Sequence, residues 1–137
     1  MDAFHPNLRH IRRADLDTET AQTAGMRRFA AISNRQVGAE RLWMGQTQVE
    51  PGERSGDHHH GEAETAIYVL SGNPEFVFLD SESGAETRLA ASAGDYIFVP
   101  PYTPHREENN DTEQPAIVVI ARSTQEAIVV NLPSLGG

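Results

Sequence analysis

Short runs rich in Val, Ile, Phe, Tyr and Thr recur along this chain at residues 26–33, 40–49, 64–70, 75–80, 86–91, 95–99, 115–122 and 126–131. Between them lie Val37-Gly38, Pro51-Gly52, Ser71-Gly72-Asn73-Pro74, Ser83-Gly84, Ala93-Gly94 and Asn109-Asn110-Asp111. Gly supplies positive φ, Pro fixes φ, and Asn and Asp bond their own backbone, so these clusters reverse the chain. Strand-length runs at this spacing predict an all-β sandwich or barrel. Phe76 and Phe78 alternate with Val77 and Leu79, and Tyr96 and Phe98 with Ile97 and Val99. Both faces of these strands are therefore apolar, which suits two packed sheets. Trp43, Met44, Phe29, Phe76, Phe78, Tyr96 and Phe98 are assigned to the core. Helical periodicity, heptads and internal repeats are missing, which removes solenoids and coiled coils.

At 137 residues the chain has the length of one domain. Residues 1–25, rich in Arg, Asp, Thr and Gln, read as an N-terminal arm, and residues 26–137 as a single β-barrel domain. Eleven Lys and Arg against twenty Asp and Glu give a net charge of −9, which argues against nucleic acid and anionic membranes as partners. The longest apolar run, Ala116 to Ala121, is too short to span a bilayer, and the polar start lacks the apolar core of a secretory signal. The expectation is a soluble, cytoplasmic protein. With no cysteine there is neither a disulfide framework nor a sulfur ligand for a metal.

Between Asp57 and Glu64 the chain packs three histidines and three acids. Imidazole is a common ligand of Zn, Fe, Ni, Cu and Mn, and it binds in its neutral form near neutral pH. On an extended strand alternate side chains share a face, so His58 and His60 project together and His59 points away to solvent. A second constellation runs from Gly94 through Pro100, Pro101, Tyr102, Thr103 and Pro104 to His105 and Asn109. The prolines stiffen the loop that presents His105, while Asn109 reads as a residue that satisfies backbone groups at a turn. His5 and His10, in the polar lead-in, read as surface residues, and the acidic run Glu107 to Asp111 as a solvated loop balanced by Arg106.

Together these segments resemble the cupins. That family carries Gly, five residues, His-x-His, three or four residues, Glu, six residues, Gly, and then Gly, five residues, Pro-x-Gly, two residues, His, three residues, Asn. Gly52, His58, His60 and Gly72 fall at the offsets of the first motif, and Gly94, Pro100, His105 and Asn109 at those of the second. Two positions depart. Tyr102 stands where the second motif has glycine. In the first, leaving four residues between it and His60, or six between it and Gly72, puts Thr65 at the acid's position, whereas Glu64 lies one position earlier. One residue reverses the facing of a strand side chain, so Glu64 reaches a metal only through a bulge or turn.

The resemblance implies an all-β, double-stranded β-helix (a jelly-roll barrel of two antiparallel sheets). It implies a divalent transition metal (Fe, Mn, Ni or Zn) on His58, His60 and His105, with Glu64 as a fourth ligand or its place taken by Glu62, Thr65 or water. It further implies a homodimer, since cupins of this size frequently pair by strand exchange. The expected function is metal-dependent dioxygenation, decarboxylation or isomerisation of a small oxygenated molecule. The alternative is nonenzymatic small-ligand binding or sensing with a structural metal. Catalytic residues are not assigned at this stage.

Overall fold

The computed structural model describes residues 5–137; residues 1–4 of the expected arm lie outside them. Ten strands form two five-stranded antiparallel sheets. The first contains β1 (Met26–Ile32), β2 (Trp43–Val49), β9 (Ala116–Arg122), β4 (Thr65–Ser71) and β7 (Tyr96–Val99), in that order. The second contains β10 (Val130–Asn131), β3 (His58–His59), β8 (His105–Glu108), β5 (Glu75–Leu79) and β6 (Glu86–Ala90). The architecture is the expected jelly roll. No helix among the described residues is long and apolar enough to cross a membrane.

Alternation decides which side chains meet between the sheets. Ile67, Val69, Val99 and Val118 of the first sheet pack against Phe76 of the second, with Ala91 at the edge and Ile97 and Ile120 partly buried around them. Each such aliphatic or aromatic residue contributes roughly 1.5–3 kcal/mol when fully buried. Met26, Val49 and Ala116 close a second cluster. At Gly72 the chain turns with φ of 83°, and a Cβ there would lie 2.6 Å from the Pro115 carbonyl oxygen. Only glycine accommodates both the left-handed backbone and that approach.

The packing changes character along each inner face. On β9 the inward residues run Ala116, Val118, Ile120, Arg122, and on β4 they run Val69, Ile67, Thr65. One end is closed by aliphatic contact. At the other end the inward residues become polar and border a cavity of about 500 Å³.

Three features depart from the sequence expectation. Tyr96 and Phe98 are 78% and 59% exposed, and Met44 is 40% exposed. β7 is the last strand of its sheet, so its outward aromatics have no further layer to cover them. A four-residue helix, α1 (Asn34–Val37), follows β1; the Ser33 hydroxyl accepts from the Gln36 amide at 3.1 Å and Gly38 ends it in the left-handed conformation. Finally, Glu107 and Glu108, read as part of a solvated loop, belong to strand β8 (His105–Glu108). The lead-in before β1 runs back along it: Asp17 and Ala30 exchange both backbone hydrogen bonds, at 2.8 and 2.9 Å.

Candidate metal centre

β3 and β8 lie side by side with His58 directly opposite His105. His60 follows two residues after His58 and returns to the same face, whereas the His59 ring turns outward to within 5.8 Å of the Tyr102 ring. The three inward rings are mutually adjacent, with centroids 4.5, 4.8 and 5.0 Å apart. Their ligand atoms all lie within 4.8 Å of one another.

Backbone carbonyls orient all three rings. His58 Nδ1 donates to Gly56 O at 2.8 Å, His60 Nδ1 to Ile128 O at 2.8 Å and His105 Nδ1 to Thr103 O at 3.0 Å. A carbonyl only accepts, so each Nδ1 carries the proton and each Nε2 offers a lone pair. Nε2 of His105 is buried without any hydrogen-bond partner. Leaving a buried polar atom unpaired costs about 1–3 kcal/mol. Burial pushes His60 and His105 down to about 4, against the raising effect of their carbonyl partners, and the neighbouring imidazoles add to the lowering. Both are neutral at pH 7. Three pre-oriented, convergent imidazoles, one with an orphaned Nε2, fit a divalent metal.

The loop that delivers β8 carries the departure from the glycine of the motif. Tyr102 adopts φ of 61°, the sole non-glycine residue with positive φ among the described residues. Its backbone takes the left-handed conformation that glycine adopts readily, and its amide donates to Gly61 O at 2.8 Å. Asn109 anchors the other end of β8: its Nδ2 donates to Val49 O at 3.1 Å and Gln114 O at 2.9 Å.

The acids near the histidine run do not converge with the rings. Ala63 and Thr65 are buried, whereas Glu62 and Glu64 are exposed. The irregularity of β4 lies farther on, between Val69 and Ser71, and leaves Glu64 facing out: its amide donates to the Ser123 hydroxyl at 3.0 Å and its carbonyl accepts from the Ser123 amide at 3.1 Å. Thr65 occupies the inward position at the cavity wall.

Sequence singled out neither Glu107 nor Arg122 among the charged residues of the cavity. Glu107, assigned to a solvated loop, lies two residues beyond His105 on the same face of β8 and lines the cavity beside His58 and His60. Extending strand alternation past His105 reaches it. Arg122 lies at the inner end of β9, its Cζ 3.9 Å from the Trp43 ring centroid. Residues 127–129 and Asn131 form the remaining wall, the Ile128 carbonyl orienting His60.

A cupin-domain family model matches residues 45–121, more than half of the chain. The chain belongs to the cupin family. No curated protein matches this cupin in sequence. Among solved structures it resembles the polyketide cyclase RemF from Streptomyces resistomycificus, at 22% identity, covering 92% of this chain and 86% of that one, with a TM-score of 0.73. It also resembles oxalate decarboxylase from Bacillus subtilis at pH 4.6, at 23% identity and a TM-score of 0.69, covering 81% of this chain and 28% of that one. A further oxalate decarboxylase structure, concerned with substrate binding mode and a reaction specificity switch, matches at 22% identity and a TM-score of 0.70. At these identities the likeness is one of fold, and this cupin spans under a third of the length of the oxalate decarboxylases.

Proposed function

We propose that this cupin is a metal-dependent enzyme acting on a small oxygenated molecule held in the cavity beside His58, His60 and His105. The observation that carries the reading is the convergence of three Nε2 atoms, His105 Nε2 being buried and unpartnered. The ligand set is these three histidines; Thr65 or water takes the fourth place rather than Glu64, which faces solvent. A bound Fe, Mn, Ni or Zn ion would supply Lewis acidity, and an Fe or Mn ion also O2 activation, through its open positions.

The chain's own residues supply the rest. Apolar side chains of Trp43, Ala63, Ile120 and Ile128 line a volume in the range of small-molecule sites. Glu107 is the carboxylate of that wall, and we assign it the proton-holding role at its Oε atoms. The outward faces of β4 and β7 carry Leu70, Tyr96 and Phe98, exposed at 49%, 78% and 59%, which supports pairing with a second copy.

The test begins with elemental analysis of protein purified without immobilised nickel. Wild type should carry close to one divalent metal per chain, and His58→Ala and His105→Ala should lose it. Equal metal in all three proteins would remove the site. Metal-loaded protein is then assayed for O2 uptake, CO2 release or isomerisation across keto acids, sugars and phenols. Turnover abolished by Glu107→Gln with metal retained supports the enzyme, whereas bound metal without turnover of any member leaves a binding module.

A further inference from the structure

We propose that Arg122 is the anion-recognition residue of the cavity, and that the molecule bound there is an apolar body carrying a carboxylate or equivalent oxyanion. This rests on the reading that the cavity holds a small molecule, and it names that molecule's chemical class. Register places Arg122 opposite Trp43 on one side and Thr65 on the other, all three on the inner face of the first sheet. Gly45, two residues beyond Trp43, keeps that face open, because a Cβ there would come within 2.6 Å of the indole ring. The indole and the guanidinium therefore stack as a unit, an arrangement that fixes the orientation of the cation.

What the guanidinium lacks is an acid. Arg35, Arg88 and Arg106 each pair with carboxylates. Arg122 does not, among the described residues, in a chain with twenty acids and eleven bases. Its Nε donates to Thr124 O at 3.0 Å and its Nη2 to Gln125 O at 2.8 Å, both neutral acceptors. Nη1 is left without a protein acceptor among the described residues. Burial lowers Arg122 only to about 10, so it stays cationic at neutral pH. The cavity wall collects Arg28, Arg54 and Arg122 against one carboxylate, Glu107, while the whole chain carries −9. A half-desolvated cation without a counter-charge is costly, and an incoming oxyanion removes that cost through a charge-assisted, planar contact. The apolar residues around it accept the remainder of the molecule.

Trp43 is the one tryptophan of the chain, so its fluorescence reports on this spot alone. The experiment titrates protein with matched carboxylate and carboxamide pairs of rising size, from acetate and acetamide through cyclohexanecarboxylate and its amide to 2-naphthoate and its amide. Each pair is run on metal-loaded and on EDTA-stripped protein. The expected result is saturable perturbation of Trp43 by at least one carboxylate, at least tenfold tighter than its amide, in both forms. Arg122→Gln should lose at least tenfold and Arg122→Lys should retain part of the preference. Should Arg122→Gln not fold, the charge preference of wild type and of Arg122→Lys decides. Equal affinity for acid and amide, no perturbation by any carboxylate at tens of millimolar, or unchanged binding in Arg122→Gln would overturn the assignment. Carboxylate binding that vanishes on stripping would overturn it as well, by placing the anion on the metal. Persistence of the preference in protein that never holds metal would instead sink the metal reading and leave Arg122 standing.

Discussion

β8 is four residues long, and its two faces carry ionisable groups under opposite conditions. Inward, Glu107 lines the cavity beside His58 and His60, and His105 turns to those two rings with its Nε2 unpartnered. Outward, Arg106 donates to Glu108 at 2.6 Å, Glu86 at 2.9 Å and Asp57 at 3.2 Å. Arg88 reaches the same Glu108 at 2.8 Å, and Asn110 bonds both Glu108 and Glu75. The outer network joins the start of β3 to β8 and β6, so it holds together the strands that present the histidines. One face is satisfied internally and serves structure. The other is left unsatisfied, as the proposed metal and ligand require.

Breaking each face should therefore give different losses. On the inner face, His105→Ala is expected to abolish metal binding, from about one ion per chain to near none by elemental analysis. The metal-free protein should change little in urea stability, because the variant also deletes an unpaired buried nitrogen. On the outer face, Glu108→Gln should cost about 2–4 kcal/mol, since Glu108 is buried and its charge holds both Arg88 and Arg106. Metal content of the folded fraction should stay near wild type. A His105→Ala protein as destabilised as Glu108→Gln would show that the two faces are not separable.

Acid should separate the faces a second time, in metal-free protein. His105 sits at about 4 in the fold against an ordinary 6.5, chiefly through burial. The unfolded chain therefore takes the proton first as pH falls, and stability contributed by the neutral ring is lost between about 6.5 and 4. Glu108 is held at about 2 against 4.5, first by its hydrogen bond from Arg88 and then by those from Arg106 and Asn110. Its contribution is intact above 4.5 and disappears as pH falls toward 2. Each window is worth about 1.4–2.7 kcal/mol at one to two pH units of effective shift. Urea titrations at pH 7, 5 and 3 should show His105→Ala narrowing the upper window, which His60 shares, and Glu108→Gln the lower. The reverse pattern would mean the charges are assigned to the wrong faces.

The same two faces explain what the sequence made legible. Period-two alternation places His58 and His60 together, and motif spacing adds His105, because those relations are local or fixed by turns. Glu64 was ambiguous by one residue, and only the Ser123 pairing and the burial of Ala63 and Thr65 settle its facing. Glu107 looked like part of an acidic loop because β8 is short and its outward residues are charged. Arg122 was invisible for a different reason: its neighbours Trp43 and Thr65 come from β2 and β4, and only sheet order brings them together. Sheet order likewise decides that Tyr96 and Phe98 lie on an edge strand, which no local pattern encodes.

The smallest expected effect concerns how β8 is delivered to the site. Tyr102 pays backbone strain of about 1–2 kcal/mol for its left-handed φ, and its ring is 62% exposed. Glycine would relieve that strain but would enlarge the conformational freedom of the unfolded chain, an opposing effect of about 0.4–1 kcal/mol. Tyr102→Gly should therefore stabilise by about 0.5 kcal/mol, a rise of one to two degrees in melting temperature at roughly 2–4 degrees per kcal/mol. The backbone bond from residue 102 to Gly61 O needs no side chain, so metal stoichiometry should be unchanged. A loss of metal on that substitution would show that the Tyr102 ring against His59, rather than the backbone of the loop, sets the distance between the inner face of β8 and the histidines of the first motif.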